Sequence, residues 1–328
     1  MQIQNLQLKN RYFLAPLAGV SNLPFRLINK EHGCALVYTE MVSAQGLIRD
    51  GKKTKALMIS DEREAPVSYQ IFGSDKRALS YAAKRCEEYG ADIIDLNMGC
   101  PVRKVIKNGA GCALLNEPEK VQEIFKSLRK SISVPFTIKL RLGMAKNDSD
   151  SFLEIAKIAQ GEGVDAICLH PRTKNQQFKG EIDLDALKLL KQSVSIPIIG
   201  SGNLFTVKDV HKMFVESNCD AVMIARGALG NPFIFEDIIE TLKDDPYRKE
   251  CDPVEKDPAD MKSRIKDAIL KHVEYFLEFY TEDMCHREMK KHMIWYTKGL
   301  TGSSSFRKRV VVTRDLKEML ELVTEFCE

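Results

Sequence analysis

Eight short apolar segments recur along the chain, each followed by a stretch with helical periodicity, and this alternation constrains the fold more than any other feature. They are Phe13–Leu17, Leu36–Met41, Val67–Phe72, Ile93–Asn97, Phe136–Leu140, Ala166–His170, Ile196–Ile199 and Ala221–Ala225. A strand that is apolar throughout, rather than at every second residue, is covered on both faces, as parallel strands between helices are. The stretches between them, among them Asp75–Tyr89, Pro118–Lys130, Ser151–Gln160, Leu184–Lys191 and Val207–Glu216, carry apolar residues at helical spacing. Eight β-then-α units within roughly 230 residues predict an α/β fold, a (β/α)8 TIM barrel. A doubly wound open sheet would use fewer strands in that length.

The pattern changes after about residue 235. Thr241–Asp260 holds three prolines and many acidic residues, and reads as a linker. Beyond it, Met261–Tyr280, Met284–Leu300 and Phe306–Phe326 have helical periodicity without strand signals. The expected organisation is a barrel over residues 1–240, a linker over 241–260 and a small all-helical domain over 261–328.

With 44% hydrophobic and 29% charged residues, the chain of 328 residues is not largely disordered. No apolar run reaches the ~18 residues of a membrane span, and MQIQNLQLKN at the start lacks the layout of a secretory signal. A cytoplasmic protein with no membrane partner is expected. The nine cysteines show neither C-x-x-C nor a Cys/His cluster, so no metal site is expected. Nothing marks an obligate protein partner.

In such a barrel the carboxyl ends of the strands share one mouth, where chemistry sits. Those ends carry Pro16-Leu17-Ala18, Glu40, Gln70, Asn97 with Cys100, Lys139 with Arg141, His170 with Arg172, Ser201-Gly202-Asn203, and Ala225-Arg226-Gly227. A buried Lys, Gln or His costs several kcal/mol unless paired, so a purely structural barrel has no reason to place them there. The glycines after strands seven and eight can bring bare amides to a phosphate, which barrels often hold at that position. Lys139, in an apolar strand, either pairs with a carboxylate such as Glu40 or serves a ligand that gains negative charge. A reduced flavin is such a ligand; a Schiff-base lysine of an aldolase is the rival use. His170 alone could be an ordinary core histidine. Gln70 could make paired amide hydrogen bonds to a flat heterocycle.

Cys100 stands in the turn Asn97-Met98-Gly99-Cys100-Pro101 and not inside an apolar run. An ordinary thiol, with a pKa near 8.5, is mostly protonated at neutral pH. No adjacent histidine offers a base, so an acid role suits it better than a nucleophilic one.

The segments APLAGVSNLPFR (15–26), TEM (39–41), QIFGSD (70–75), DLNMGCP (95–101), KLRLG (139–143), LHPRT (169–173) and ARGALGNPFIF (225–235) resemble the tRNA-dihydrouridine synthases. REMKKHMIWYTKGL (287–300) resembles the helical tail of their bacterial B-type branch. The resemblance implies a flavin mononucleotide (FMN) enzyme that uses NADPH, or NADH, to reduce the C5–C6 double bond of tRNA uridines. It implies that Pro16, Leu17, Ala18, Gln70, Lys139, His170, Ser201, Gly202, Asn203, Ala225, Arg226 and Gly227 hold FMN. It makes Cys100 the proton donor to C5, and Asn97, Arg141 and Arg172 contacts to substrate. Two positions depart from the family pattern: Ser201-Gly202-Asn203 replaces the more usual Asn-Gly-Asp, and Phe233 stands where a Trp is common.

Net charge is only +3, but residues 287–314 hold eight Lys or Arg against one acid, Glu288, while 241–260 carries four bases and seven acids. A basic tail fits a polyanionic partner such as tRNA, with Arg103, Lys104 and Lys107 adding positive charge near the mouth. Two other readings stay open: an FMN barrel reducing a free small molecule, and a catalytically idle RNA-binding relative.

Overall fold

The computed structural model describes residues 1–145, 151–243, 245–248, 251 and 258–328. A two-stranded antiparallel hairpin, β1 (Gln2–Ile3) and β2 (Leu6–Gln7), precedes the barrel. The barrel strands are β3 (Tyr12–Leu14), β4 (Val37–Tyr38), β5 (Val42–Ser43), β6 (Val67–Phe72), β7 (Ile93–Met98), β8 (Phe136–Arg141), β9 (Ala166–His170), β10 (Ile198–Ser201) and β11 (Ala221–Ile224). They run parallel in the order β3-β11-β10-β9-β8-β7-β6-β4, with β5 beside the end of β6. A bridge between Phe13 and Leu36, and a hydrogen bond of 2.9 Å from the Leu14 N–H to the Leu36 carbonyl, close the ring.

The second expected strand, Leu36–Met41, is divided. At Thr39 the hydroxyl, not a backbone carbonyl, accepts the Gln70 N–H at 3.2 Å. The ladder is thereby interrupted, and the chain resumes pairing only at Val42. The seventh strand begins two residues later than expected and runs through Ser201. The helices start where their caps dictate: Asp75 accepts the Ala78 N–H at 2.8 Å, and Thr206 with Asp209 forms a reciprocal capping box.

Side chains alternate across a strand, so each barrel strand has one covered outer row and one inner row. Ile94, Leu96, Ile138, Leu140, Ile167 and Leu169 pack under the helices. Ile93, Ala166, Cys168, Ile199, Ala221 and Met223 fill the interior near the floor, where Ile3 and Leu8 join them from the hairpin and its exit. The same inner rows continue toward the mouth as Asp95 and Asn97, Thr137, Lys139 and Arg141, His170, and Ser201. Floor and site are thus consecutive layers of one alternating pattern.

Beyond residue 258 come the helices Pro258–Phe279, Glu282–Tyr296, Ser303–Val311 and Leu316–Cys327. They enclose their own apolar cluster, which includes Phe276, Met289, Met293, Val310 and Met319 and also takes in Phe233. The third expected helix is therefore two. Asp315 caps the last one by accepting the Glu318 N–H at 2.8 Å. Val310-Val311-Val312 carries the apolar pattern across the break with no Gly or Pro to mark it. Of the expected linker, residues 244, 249, 250 and 252–257 lie outside the described residues.

These helices pack on the barrel helix Leu23–Glu31. Phe25 meets the rings of His272 and His292 at 6.2 and 5.5 Å, and Arg63 pairs with Glu278 at 2.6 Å. Lys291 donates to the Gly19 carbonyl at 2.6 Å. Gly230 lies in the left-handed region (φ +68°), and a Cβ there would stand 2.2 Å from the Trp295 carbonyl carbon. Only glycine lets these two backbones approach so closely.

Candidate active site

The mouth holds a cavity of about 270 Å³, and most of the residues expected from the sequence meet there. Pro16, Leu17 and Ala18 form one wall; Gln70, Asn97, Cys100, Lys139, Arg141 and His170 rise from the barrel centre; Ser201, Gly202, Asn203, Ala225 and Arg226 form the opposite wall.

Beneath this surface lies a chain of hydrogen bonds with a fixed direction. Asp95 is fully buried and accepts from the Thr137 hydroxyl at 2.7 Å and from the Gln70 amide Nε2 at 2.7 Å. Gln70 Oε1 accepts from Asn97 Nδ2 at 2.8 Å, and Asn97 Oδ1 accepts the backbone N–H groups of Gly99 at 3.2 Å and Cys100 at 2.9 Å. A carboxylate can only accept, so Asp95 sets which way both amides face. Burial raises the Asp95 carboxyl from 3.8 to about 6, against the lowering effect of Thr137, Gln70 and the Lys139 charge. The sequence reading missed Asp95, although its spacing of two residues from Asn97 places both on one face.

Lys139 does not pair with Glu40, which instead accepts from the Gly19 N–H and faces a separate cavity beside Tyr280 and Glu288. Among the described residues the Lys139 ammonium has no hydrogen-bond or ion-pair partner, yet it lines the mouth. Burial raises the Cys100 thiol above its ordinary range, opposed by a backbone hydrogen bond at Val102 and by the Arg141 and Lys139 charges. The thiol therefore keeps its proton at neutral pH. Gly111 (φ +62°) packs behind it, where a Cβ would come within 2.7 Å of the Cys100 carbonyl oxygen.

Burial, reinforced by the charges of Lys139, Arg141, Arg172 and Arg226, depresses the His170 imidazolium strongly, so the ring is neutral. Arg172 donates to His170 Nε2 at 3.1 Å, which leaves the ring proton on Nδ1. Arg172, expected to touch substrate, is fully buried and stands outside the cavity lining. It also donates to the Gly180 carbonyl and, at 2.9 Å, to Asn203 Oδ1, so it holds His170 and the β10 loop together. Gly227 likewise lies behind the lining: a Cβ there would sit 2.0 Å from the Leu204 carbonyl oxygen, so this glycine lets two loops meet. Gly230, in the same loop, serves the helical packing described above. Phe233 is buried against Arg264 at 4.4 Å and His32 at 4.8 Å, away from the cavity lining. Met41, from the TEM segment, also lines the mouth, and Phe178 and Phe205 do so without any local motif that announces them.

The basic tail is less bare than its composition implies. Glu325 pairs with Arg309 at 2.6 Å and Glu318 with Arg314 at 3.3 Å, both acids lying beyond the basic stretch 287–314. Glu288 takes Lys291 at 2.5 Å, and Lys290 donates to the carbonyls of Val311 and Thr313. Lys298, Arg307 and Lys308 remain without ion pairs among the described residues.

Comparison with known proteins agrees with this geometry. The sequence model of the family described as dihydrouridine synthase matches residues 13–327. The tRNA-dihydrouridine synthase B of Pasteurella multocida is 38% identical over 98% of this chain and 93% of its own length. That of Vibrio vulnificus is 37% identical over 94% and 92%, and a probable tRNA-dihydrouridine synthase of Rickettsia conorii is 33% identical over 99% and 96%. Among solved structures, histamine dehydrogenase from Rhizobium sp. 4-9 superposes with a TM-score of 0.56 at 15% identity, over 73% of this chain and 47% of that one. A 2-naphthoyl-CoA reductase does so at 0.58 and 13%, over 73% and 51%. These two share the fold, and the match spans about half of each longer chain. Matched over nearly its whole length, the chain belongs to the dihydrouridine synthase family.

Proposed function

We propose that this protein reduces the C5–C6 double bond of uridines in tRNA, with NADPH as reductant and FMN as bound cofactor. The observation that carries the reading is the pairing, in one cavity, of a protonated thiol at Cys100 with an unpartnered ammonium at Lys139. The names of the relatives supply the substrate class.

The residues present fit a phosphorylated flavin. The free Lys139 ammonium suits a ring that gains negative charge, the neutral His170 presents an Nδ1–H donor, and Arg226 adds positive charge to the loops after β10 and β11. Pro16 to Ala18, Gln70, Lys139 and His170 would hold the ring. Ser201 to Asn203 and Ala225 to Arg226 would hold the phosphate, with Gly227 allowing the two loops to close up. Bound there, the flavin would supply hydride chemistry for uracil C6, with NADPH as its reductant.

The protein's own part is acid catalysis and positioning. Cys100 gives its proton to C5, and burial keeps that proton available at neutral pH. Asn97 uses its carbonyl on the Cys100 turn and its Nδ2 on Gln70 and, at 3.8 Å, on the Met41 sulfur, so a uracil would meet Asn97 by displacing that weak sulfur contact. The uridine has to leave its stack to reach the mouth, as in other base-modifying enzymes. A cytoplasmic location follows from a tRNA substrate; among the described residues no helix is long and apolar enough to cross a membrane.

Purified protein incubated with NADPH and unmodified tRNA should add two hydrogens to specific uridines, read by mass mapping. Unchanged tRNA, or equal activity on free uridine, overturns the reading in favour of a small-molecule reductase. In Cys100→Ala, NADPH-driven flavin bleaching should survive while uridine reduction falls about 10²- to 10⁴-fold. Equal loss of both halves removes Cys100 from the mechanism, and a flavin that NADPH cannot bleach favours an idle RNA-binding relative.

A further inference from the structure

A second concavity of about 560 Å³ adjoins the mouth, lined by Pro101, Val102, Arg103, Ile106, Lys107, Lys174, Gln177 and Phe178. It shares Pro101, Val102 and Phe178 with the catalytic cavity, so the two are continuous past the Cys100 turn. We propose that this groove receives the nucleotide next to the target uridine, with its phosphate among Arg103, Lys107 and Lys174 and its base on Phe178. The proposal rests on the uridine-reducing activity proposed above.

Three observations carry it. First, the charge is of one sign and not neutralised. Arg103, Lys107 and Lys174 make no ion pair among the described residues, Lys174 donating only to Asn175 Oδ1 at 3.2 Å, and no carboxylate among those residues lines the groove. Second, two apolar side chains face solvent at its edge, Val102 at 53% and Phe178 at 56% exposure. An exposed aromatic beside free cations is the arrangement that binds single-stranded nucleic acid, since every base has a face to stack and every link a phosphate.

Third, both lips of the groove are fixed by one guanidinium. Arg141 donates from Nε to the Gly99 carbonyl at 3.0 Å and from Nη1 to the carbonyls of Thr173 at 3.1 Å and Gln177 at 2.9 Å. The Phe178 ring lies over two cations, 5.6 Å from Arg141 and 5.1 Å from Arg226. A uracil presented to Cys100 remains joined to its RNA, and the strand must leave the cavity along a wall. The wall beside Cys100 opens into this groove. The occupant is therefore the RNA strand and not a free anion.

The test uses the full-length protein and an unmodified tRNA transcript, with affinity measured by fluorescence anisotropy across a KCl series. For R103A/K107A the slope of log Kd against log salt should fall by about 1, since the groove holds one phosphate and each phosphate that no longer meets its cations takes away about one unit. Phe178→Ala should weaken tRNA binding about 5- to 150-fold, the range for one base left unstacked. Phe178→Tyr, which keeps the aromatic face, should restore it. In R103A/K107A the KM for NADPH should stay within about two-fold of the parent value. An unchanged slope, or a rise in the KM for NADPH in place of weaker tRNA affinity, overturns the proposal. A parent protein that binds tRNA but makes no dihydrouridine refutes the functional reading instead, and the binding slopes still report on the groove.

Discussion

Asn97 Oδ1 accepts the backbone N–H of Cys100 at 2.9 Å, so the turn that carries the thiol is tied to the centre of the barrel by a side chain. Removing that acceptor should matter more than its distance from the sulfur implies. Asn97→Ala leaves the amides of Gly99 and Cys100 and the Oε1 of Gln70 without their partner. Unfolding free energy should fall by about 1–3 kcal/mol. Uridine reduction should fall by about ten-fold or more, as a misplaced catalytic group costs. NADPH-driven bleaching should be nearly unaffected. Denaturant titration and the two half-reactions check this, and equal losses in both halves would deny Asn97 a positioning role.

Asp95→Asn probes the origin of the same chain. With its oxygen still accepting from Thr137, the new amide presents N–H to Gln70, so Gln70 must turn over, and Asn97 after it. Cys100 then loses its acceptor although no residue near it has changed. Uridine reduction should drop about ten-fold or more, and the rate of Cys100 alkylation should change. Stability moves differently. The carboxyl is raised in the fold from 3.8 to about 6, so between those values the folded state binds the extra proton and stability falls as pH rises. The total is roughly 3 kcal/mol, and the variant should lack that pH dependence in thermal unfolding.

His272 and His292 give the opposite slope. Both are buried where the helices meet Phe25, and His292 has no hydrogen-bond partner on either nitrogen among the described residues. Burial, with a contribution from Lys291, lowers His272 from 6.5 to about 3 and His292 well below its ordinary value. The unfolded chain therefore takes up protons that the fold refuses. Stability should fall as pH drops below about 6.5, by roughly 1.4 kcal/mol per pH unit for each histidine. His292→Leu should remove about one proton from that dependence; an unchanged slope would show that the histidine is charged in the fold.

Gly230→Ala tests the contact between the barrel and the helices. The added Cβ would lie 2.2 Å from the Trp295 carbonyl carbon, on a residue with φ of +68°. A destabilisation of roughly 1–3 kcal/mol is expected. Weaker tRNA binding with bound flavin retained would assign the helices to the RNA. Full tRNA affinity in a folded variant would take that role away.

The barrel was legible because its strands needed apolar residues on both faces, and strand ends such as Gln70, Lys139 and His170 stood out as polar breaks in those runs. The mouth followed from strand ends alone. What the sequence hid were relations between residues far apart in the chain. Arg172 looks like a substrate contact because it follows His170, but buried partners at Gly180 and Asn203 claim it. Gly230 looks like a phosphate-loop glycine, yet its neighbour is Trp295, 65 positions later. The tail's positive charge is partly met by Glu318 and Glu325, which follow the basic stretch and fold back onto it. Phe178 has no motif at all, because its role depends on two arginines from other strands.

The hairpin of β1 and β2 has a consequence for kinetics. With Ile3 and Leu8 packed into the far end of the barrel, the described residues leave the reacting centre open at the mouth and closed at the floor. Under the proposed function, nicotinamide and RNA must then take turns. Double-reciprocal plots should be parallel, and surplus tRNA should slow the oxidation of NADPH by standing in its way.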